Sequence, residues 1–251
     1  MTVTRGIDPV NRNLWLMSIN ILILAVLVPA ASGDINHLTA EERAAGWTLL
    51  FDGVSTRGWL EVTGAPLQAA SWTVEDGCLK ALPNPDGKQD IRTTGSYRSF
   101  ELQFEWKLLK NGNSGVKYLV QRTDRWQKKG RKGYEARARG LEYQLVDDAS
   151  ADAKDATRIT ASLYSGLAPK GAVPRPLGEF NQSRIVVRGE HVEHWLNGVK
   201  VLEFQISQLE VAQVLRNSQQ TPGPFVRESP VCLQNHTPPV WFRNIKIRRL
   251  D

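Results

Sequence analysis

Cysteine and histidine are scarce in this chain, two and four of 251 residues. None stands in the C-x-x-C or H-x-x-x-H spacing from which compact metal sites are built, and no EF-hand loop offers calcium its oxygens. No cofactor is expected on that ground, and a divalent ion assembled from groups distant in sequence is left open. Cys78 and Cys232 both fall in predicted strands; two buried free thiols are expected, with one disulfide as the alternative in an oxidising compartment. There is no G-x-S-x-G elbow, so nucleophilic catalysis through Ser or Cys has no support. Fixed-period repeats, low-complexity tracts and any sign of a second domain are also missing.

Long apolar runs are lacking too. Leu14–Val28 spans 15 residues, short of the ~20 that a membrane-crossing helix needs. Arg5 and Arg12 precede it and Pro29-Ala30-Ala31-Ser32-Gly33 follow, the layout of a secretory signal peptide over residues 1–33, with an uncleaved anchor as the alternative. No Cys stands at the cleavage zone, which argues against a lipoprotein. The expected mature protein is one domain over residues 34–251, periplasmic or secreted, with no stable membrane insertion once the signal is removed. The net charge is +6. Much of the excess crowds into Arg122, Arg125, Lys128, Lys129, Arg131, Lys132, Arg137 and Arg139, interspersed with Gly130, Gly133 and Gly140. In an exported protein this reads as a long solvated loop over 122–139 rather than a nucleic-acid surface.

What the chain does have is β-structure. Between residues 181 and 204, Ile185–Val187, Val192–Leu196 and Val199–Phe204 are β-formers separated by Arg188-Gly189-Glu190 and Asn197-Gly198. Asn-Gly between β-formers is the strongest short-range hairpin signal, because both central residues of a type I′ turn need positive φ. This predicts an antiparallel meander. Asp76-Gly77 marks another hairpin within 72–80. Phe100, Leu102, Phe104 and Trp106 alternate with Glu101, Gln103, Glu105 and Lys107, and Leu141, Tyr143 and Leu145 alternate with Glu142 and Gln144. Residues 111–115 read as a turn leading into a strand over 116–121, and residues 41–46 as a short helical lead-in. Residues 147–183 are Pro- and Gly-rich with one short strand near 161–164, and unstructured stretches of that length in a compact domain tend to be functional. One amphipathic helix is expected near 207–217. Ten to twelve strands of this kind predict an all-β, double-sheet jelly roll.

Six segments in register, GWTLLFDG (46–53), GNSGVKYLV (112–120), GLEYQLVDD (140–148), GEFNQSRIVV (178–187), VEHWLNGVKVLEF (192–204) and VCLQNHTPPVWFRNIKIRRL (231–250), resemble the bacterial 3-keto-disaccharide hydrolase domain family over roughly residues 44–250. The resemblance implies a concanavalin-like jelly-roll β-sandwich of two antiparallel sheets. It also implies cleavage of a sugar already oxidised at C3, with a sugar 3-dehydrogenase acting upstream. Phe180 stands where the family usually has Trp, and Asn235-His236-Thr237 where it has Asp-His-Gly, so the turn after His236 is expected to differ.

Ordinary glycoside hydrolysis needs two carboxylates flanking the bond. On the strand carrying Glu142 and Gln144 the third polar position is Val146, so one acid of the laminarinase-type pattern is missing. A C3 ketone lowers the demand, because it acidifies the C2 proton. One general base, a donor over the enolate oxygen and an acid for the leaving group then suffice. Glu142 is the candidate base or acid, Asp147 a second acid/base and His236 the leaving-group acid or enolate donor; as structural residues they would be a cross-strand pair, a turn former and a loop His. Gln144, Gln234, Lys117, Asn113, Ser114, His194 and Arg243 are candidate substrate contacts. A carbohydrate-binding module without catalysis, and a conventional glycosidase, are the competing readings.

Overall fold

The computed structural model describes residues 1–2, 35–84, 86–236 and 238–251. The expected signal peptide, apart from Met1 and Thr2, and the altered turn residue Thr237 lie outside the described residues. Gly33–Asp251 is one compact unit. It opens with α1 (Ala40–Ala44), where Thr39 and Glu42 form a capping box. Five short strands follow: β1 (Thr48–Leu49), β2 (Trp59–Glu61), β3 (Trp72–Glu75), β4 (Cys78–Ala81) and β5 (Ile91–Thr93). The long ones are β6 (Phe100–Leu108), β7 (Asn113–Trp126), β8 (Glu135–Val146), β9 (Asn181–Arg188), β10 (His191–Leu196) and β11 (Val199–Gln205). Helix α2 (Leu209–Ser218), β12 (Cys232–Leu233) and β13 (Val240–Arg249) close the chain.

These strands make two antiparallel sheets, the jelly-roll sandwich expected. One runs β11-β10-β9-β6-β13-β4-β3, with β1 added on β13, and the other β2-β5-β12-β7-β8. The alternation along β6 buries Phe100, Leu102, Phe104 and Trp106 against Val116, Tyr118, Leu141, Tyr143 and Leu145 of β7 and β8. The expected turns hold: Asp76-Gly77 and Asn197-Gly198 both take positive φ at both positions. The two cysteines are free and buried, Cys78 in one sheet and Cys232 in the other.

Three local expectations change. The basic stretch 122–139 is a β-hairpin, not a loop: β7 and β8 pair from Asn113↔Val146 to Trp126↔Glu135. Its buried side consists of Ala136 and Ala138 packed on Val62, Val120 and Cys232, and alanine in alternation with charge carries no strand signal. Asn113 and Ser114 belong to that strand; the turn ends earlier, at Asn111 with φ 59. Residues 161–164 are not a strand. They hydrogen-bond the edge of β8 but are interrupted by Ala161 at φ 68, leaving the isolated bridges Tyr143↔Leu163 and Leu163↔Leu167. The hairpin also bends. Register shifts between Tyr118 and Arg122, where Leu119 takes φ 46, and a Cβ on the facing Gly140 would lie 2.8 Å from Tyr118 O. A bulge of this kind increases twist, and the far half of the hairpin arches over the outer face of its own sheet: Ala136 exchanges backbone bonds with Lys88 and Asp90, and Ala138 touches Lys117 and Asp90.

Candidate active site

Beside this arch, on the outer face of the five-stranded sheet, the chain gathers its buried charge. Lys117 of β7 stands opposite Glu142 of β8, and Gly115 opposite Gln144. Gly115 is required there by space, because a Cβ at that position would sit 2.1 Å from Glu142 Oε1. Glu142 Oε1 accepts from Gln234 Nε2 at 2.9 Å, and Oε2 lies 3.7 Å from Lys117 Nζ. Lys117 leans the other way, donating to Asp90 Oδ2 at 3.0 Å and to Ala138 O at 3.1 Å.

Asp90, just before β5, is fully buried and fully used. It accepts from Ala138 N and Asn235 N, each at 3.1 Å, and lies 3.2 Å from Arg137 Nη1. Burial alone would raise its pKa; Arg137, Lys117 and the Ala138 N–H outweigh that and hold it below the usual value. Glu142 moves the opposite way. Burial pushes its carboxyl up and Asp90 adds to the rise, with Lys117 opposing. Two neighbouring carboxyls are thus driven apart, one locked as an anion and one able to exchange a proton, the pattern that separates acid–base roles in enzyme sites.

Around this pair stand groups with spare capacity. Gln144 Oε1 and Asn235 Oδ1 are buried acceptors with no partner among the described residues, an expense that a bound hydroxyl would relieve. Half-buried Lys88 has its Nζ 3.5 Å from His236 Nε2, and burial, with Arg137 nearby, lowers its pKa.

Of the residues expected from sequence, Glu142, Gln144, Gln234 and Lys117 come together, with His236 beside Lys88. Asn113 lies on the same face of β7, its amide donating to Asp152 Oδ2 at 2.7 Å. The others go elsewhere. Ser114 points to the opposite side, where its hydroxyl donates to Gln234 O at 2.7 Å and pins that residue's backbone. Asp147 spends its carboxylate on Asn111 N and Ala149 N, the turn role. His194 is a core residue: Nδ1 faces Ala161 O at 2.9 Å, and since a carbonyl only accepts, Nε2 receives the Tyr118 hydroxyl at 2.7 Å. Burial lowers its pKa to about 4. Arg243 lies on the outer face of the other sheet, paired with Glu105 at 2.7 Å and stacked over Phe180. Asp90, Arg137 and Lys88 were not singled out from sequence, and Asn235 only as a departure from the family's usual Asp. Arg137 is hidden in the basic run, and a lone Asp before a short strand gives no signal. On the opposite sheet His191, Glu193 and Glu203 lie close enough to share an ion, but Lys200 already pairs with both carboxylates.

Comparison with known proteins identifies the family and the fold. The model of the 3-keto-alpha-glucoside-1,2-lyase-like domain matches residues 46–248. A curated 3-keto-disaccharide hydrolase of Bacteroides thetaiotaomicron is 31% identical over 244 residues, covering 88% of this chain and 84% of the relative. A solved structure of a candidate glycosyl hydrolase from Parabacteroides distasonis matches with TM-score 0.70 and 30% identity, over 86% of this chain and 100% of that one. A second from the same organism, at 24% identity and TM-score 0.59 over 81% of this chain and 99% of its own, shows the shared fold. Fold, site and relatives define a glycosidase-like, carbohydrate-processing hydrolase. The chain belongs to the 3-keto-alpha-glucoside-1,2-lyase-like domain family.

Proposed function

We propose that this chain cleaves 3-keto-glycosides by elimination followed by hydration, with Glu142 as the base. The observation that carries this reading is the inequality of the two buried carboxyls. A conventional glycosidase needs two carboxyl groups facing the bond, whereas Asp90 is enclosed by Lys117, Arg137 and two backbone donors and leaves Glu142 to work alone. A 3-keto sugar asks for no more. Glu142 takes the C2 proton, and the C2–H electron pair forms the enolate of the C3 ketone. That enolate then expels the C1 oxygen substituent, which leaves with the C1–O electron pair and gains a proton. Water adds to C1 of the resulting enone, C2 regains a proton, and the products are the free 3-keto sugar and the alcohol. Lys88 and His236 are the proton donors for the leaving group, and the surplus of cations around Glu142 suits a transition state that gathers negative charge. A carboxyl raised by burial is also a stronger base near neutral pH than an exposed one.

Glu142, Gln144, Gln234, Lys117 and Asn113 would hold the sugar. The ketone must come from a sugar 3-dehydrogenase acting earlier, and the apolar run 14–28 supports action outside the cytoplasm. The test is incubation with a 3-keto-glucoside beside its unoxidised parent. Release of 3-keto-glucose from the ketone alone is expected; release of glucose from the parent at a similar rate would make this an ordinary glycosidase.

A further inference from the structure

The basic run that reads in the sequence as a solvated loop is a β-hairpin, and its cations are not equally neutralised. Arg122 and Arg139 share Asp124, Lys128 pairs with Glu135, and Arg137 pairs with Asp90. Among the described residues, Arg125, Lys129 and Lys132 have no carboxylate at ion-pair distance. Arg125 and Lys132 line a cleft of about 400 Å3 at the hairpin tip, with Trp126, Gln127, Gly133 and Tyr134. The Arg125 guanidinium carbon sits over the Tyr134 ring, 3.5 Å from its centroid. A stacked guanidinium has its plane fixed while its N–H edges stay open, so its fork is pre-oriented for a carboxylate or phosphate. Gln127 is tied into the tip itself, donating to Arg131 O at 3.0 Å.

The cleft adjoins the active-site wall. A Cβ on Gly87 would lie 2.1 Å from Tyr134 O, so the tip rests directly on residue 87. The next residue, Lys88, reaches His236. The same strand β8 carries Tyr134's neighbour Glu135 at its start and Glu142 further along.

We propose that this cleft binds an anionic group, a carboxylate or a phosphate, carried by the carbohydrate substrate on the part that leaves. Arg125 is its bidentate partner, Lys132 its second cation, and the aromatic walls flank the ring bearing the charge. Its place on the substrate's path rests on the proposed activity; the anion binding does not.

The test is calorimetric titration of the complete chain with tetragalacturonate, glucose 6-phosphate and uncharged cellotetraose at moderate salt. At least one anionic probe is expected to bind tenfold or more tighter than cellotetraose, tetragalacturonate alone identifying a carboxylate and glucose 6-phosphate alone a phosphate. The double variant Arg125→Gln/Lys132→Gln should lose at least tenfold in that affinity. Arg188→Gln/Lys170→Gln, which removes the same charge far from the cleft, should lose less than twofold. Equal losses in both doubles would reduce the effect to net charge and overturn the proposal, as would no preference for either anion over cellotetraose. Turnover of an uncharged 3-keto-glucoside by the unmodified chain reports separately on the proposed activity: its absence would remove that activity and leave the anion site standing.

Discussion

Glu142 and Gly115 work as a unit. The glycine lends the carboxylate the volume its own side chain would have filled, and Gln234 fixes one oxygen within it. Gly115→Ala should therefore leave the sandwich folded, with near-native circular dichroism, but turn the carboxylate out of line. Turnover of a 3-keto-glucoside is expected to fall by about 10²-fold, the scale of a misplaced acid–base group; undiminished turnover would detach Glu142 from the chemistry. The pH profile carries a second signature. A base must be deprotonated to act, and Glu142 titrates above the ordinary glutamate value of 4.5 because it is buried beside Asp90. The acid limb of kcat/KM should accordingly lie above 4.5 and fall away as pH drops through it; a limb at or below 4.5 would point to an exposed carboxylate instead.

Among the elements, the β7–β8 hairpin matters most, since the same ladder supplies the floor of the site and the arch that walls it. Its bend is made at Gly140, where the facing backbone of Tyr118 and Val120 comes within 2.8 Å of a would-be Cβ. Gly140→Val should cost about 1–3 kcal/mol of stability, the range for overpacking, measurable as a lower denaturation midpoint with lower activity. A second link crosses the core from β10. His194 holds Ala161 O, and the neighbouring segment hydrogen-bonds β8 at Glu142 and Gln144. His194 is neutral in the fold, with its pKa lowered from 6.5 to about 4, so the unfolded chain binds the extra proton between those values. The stability it contributes is complete above pH 6.5 and drains as pH falls towards 4, a loss of about 3 kcal/mol. Thermal midpoints across that window should decline, and His194→Gln should flatten the part due to this group; an unchanged slope in that variant would place the titration elsewhere.

At the scale of the whole molecule, the sequence revealed what lies on single strands and concealed what the fold brings together. The meander was legible because Asn197-Gly198 admits one kind of turn, and the core because β6 and β8 alternate strictly. Glu142 and Gln144 were legible for the same reason, as polar positions alternating with buried ones, and Lys117 and Gln234 only as polar residues in segments resembling the family. Asp90, Arg137 and Lys88 were not, because their meeting depends on an arch whose buried face is only alanine. His194 stayed open at that level: alternation with Glu193 and Trp195 left sugar contact and core histidine evenly matched, and the partners that decide it, Tyr118 and Ala161 O, are far away in sequence. The central claim is that Glu142 removes the C2 proton of a 3-keto sugar. It is tested most directly by cleaving a 3-keto-glucoside deuterated at C2 in ordinary water and weighing the released sugar before spontaneous exchange intervenes. The expected result is loss of the deuterium to solvent in step with cleavage, with neither loss nor cleavage in Glu142→Gln. Full-rate cleavage with the label still at C2 would contradict it.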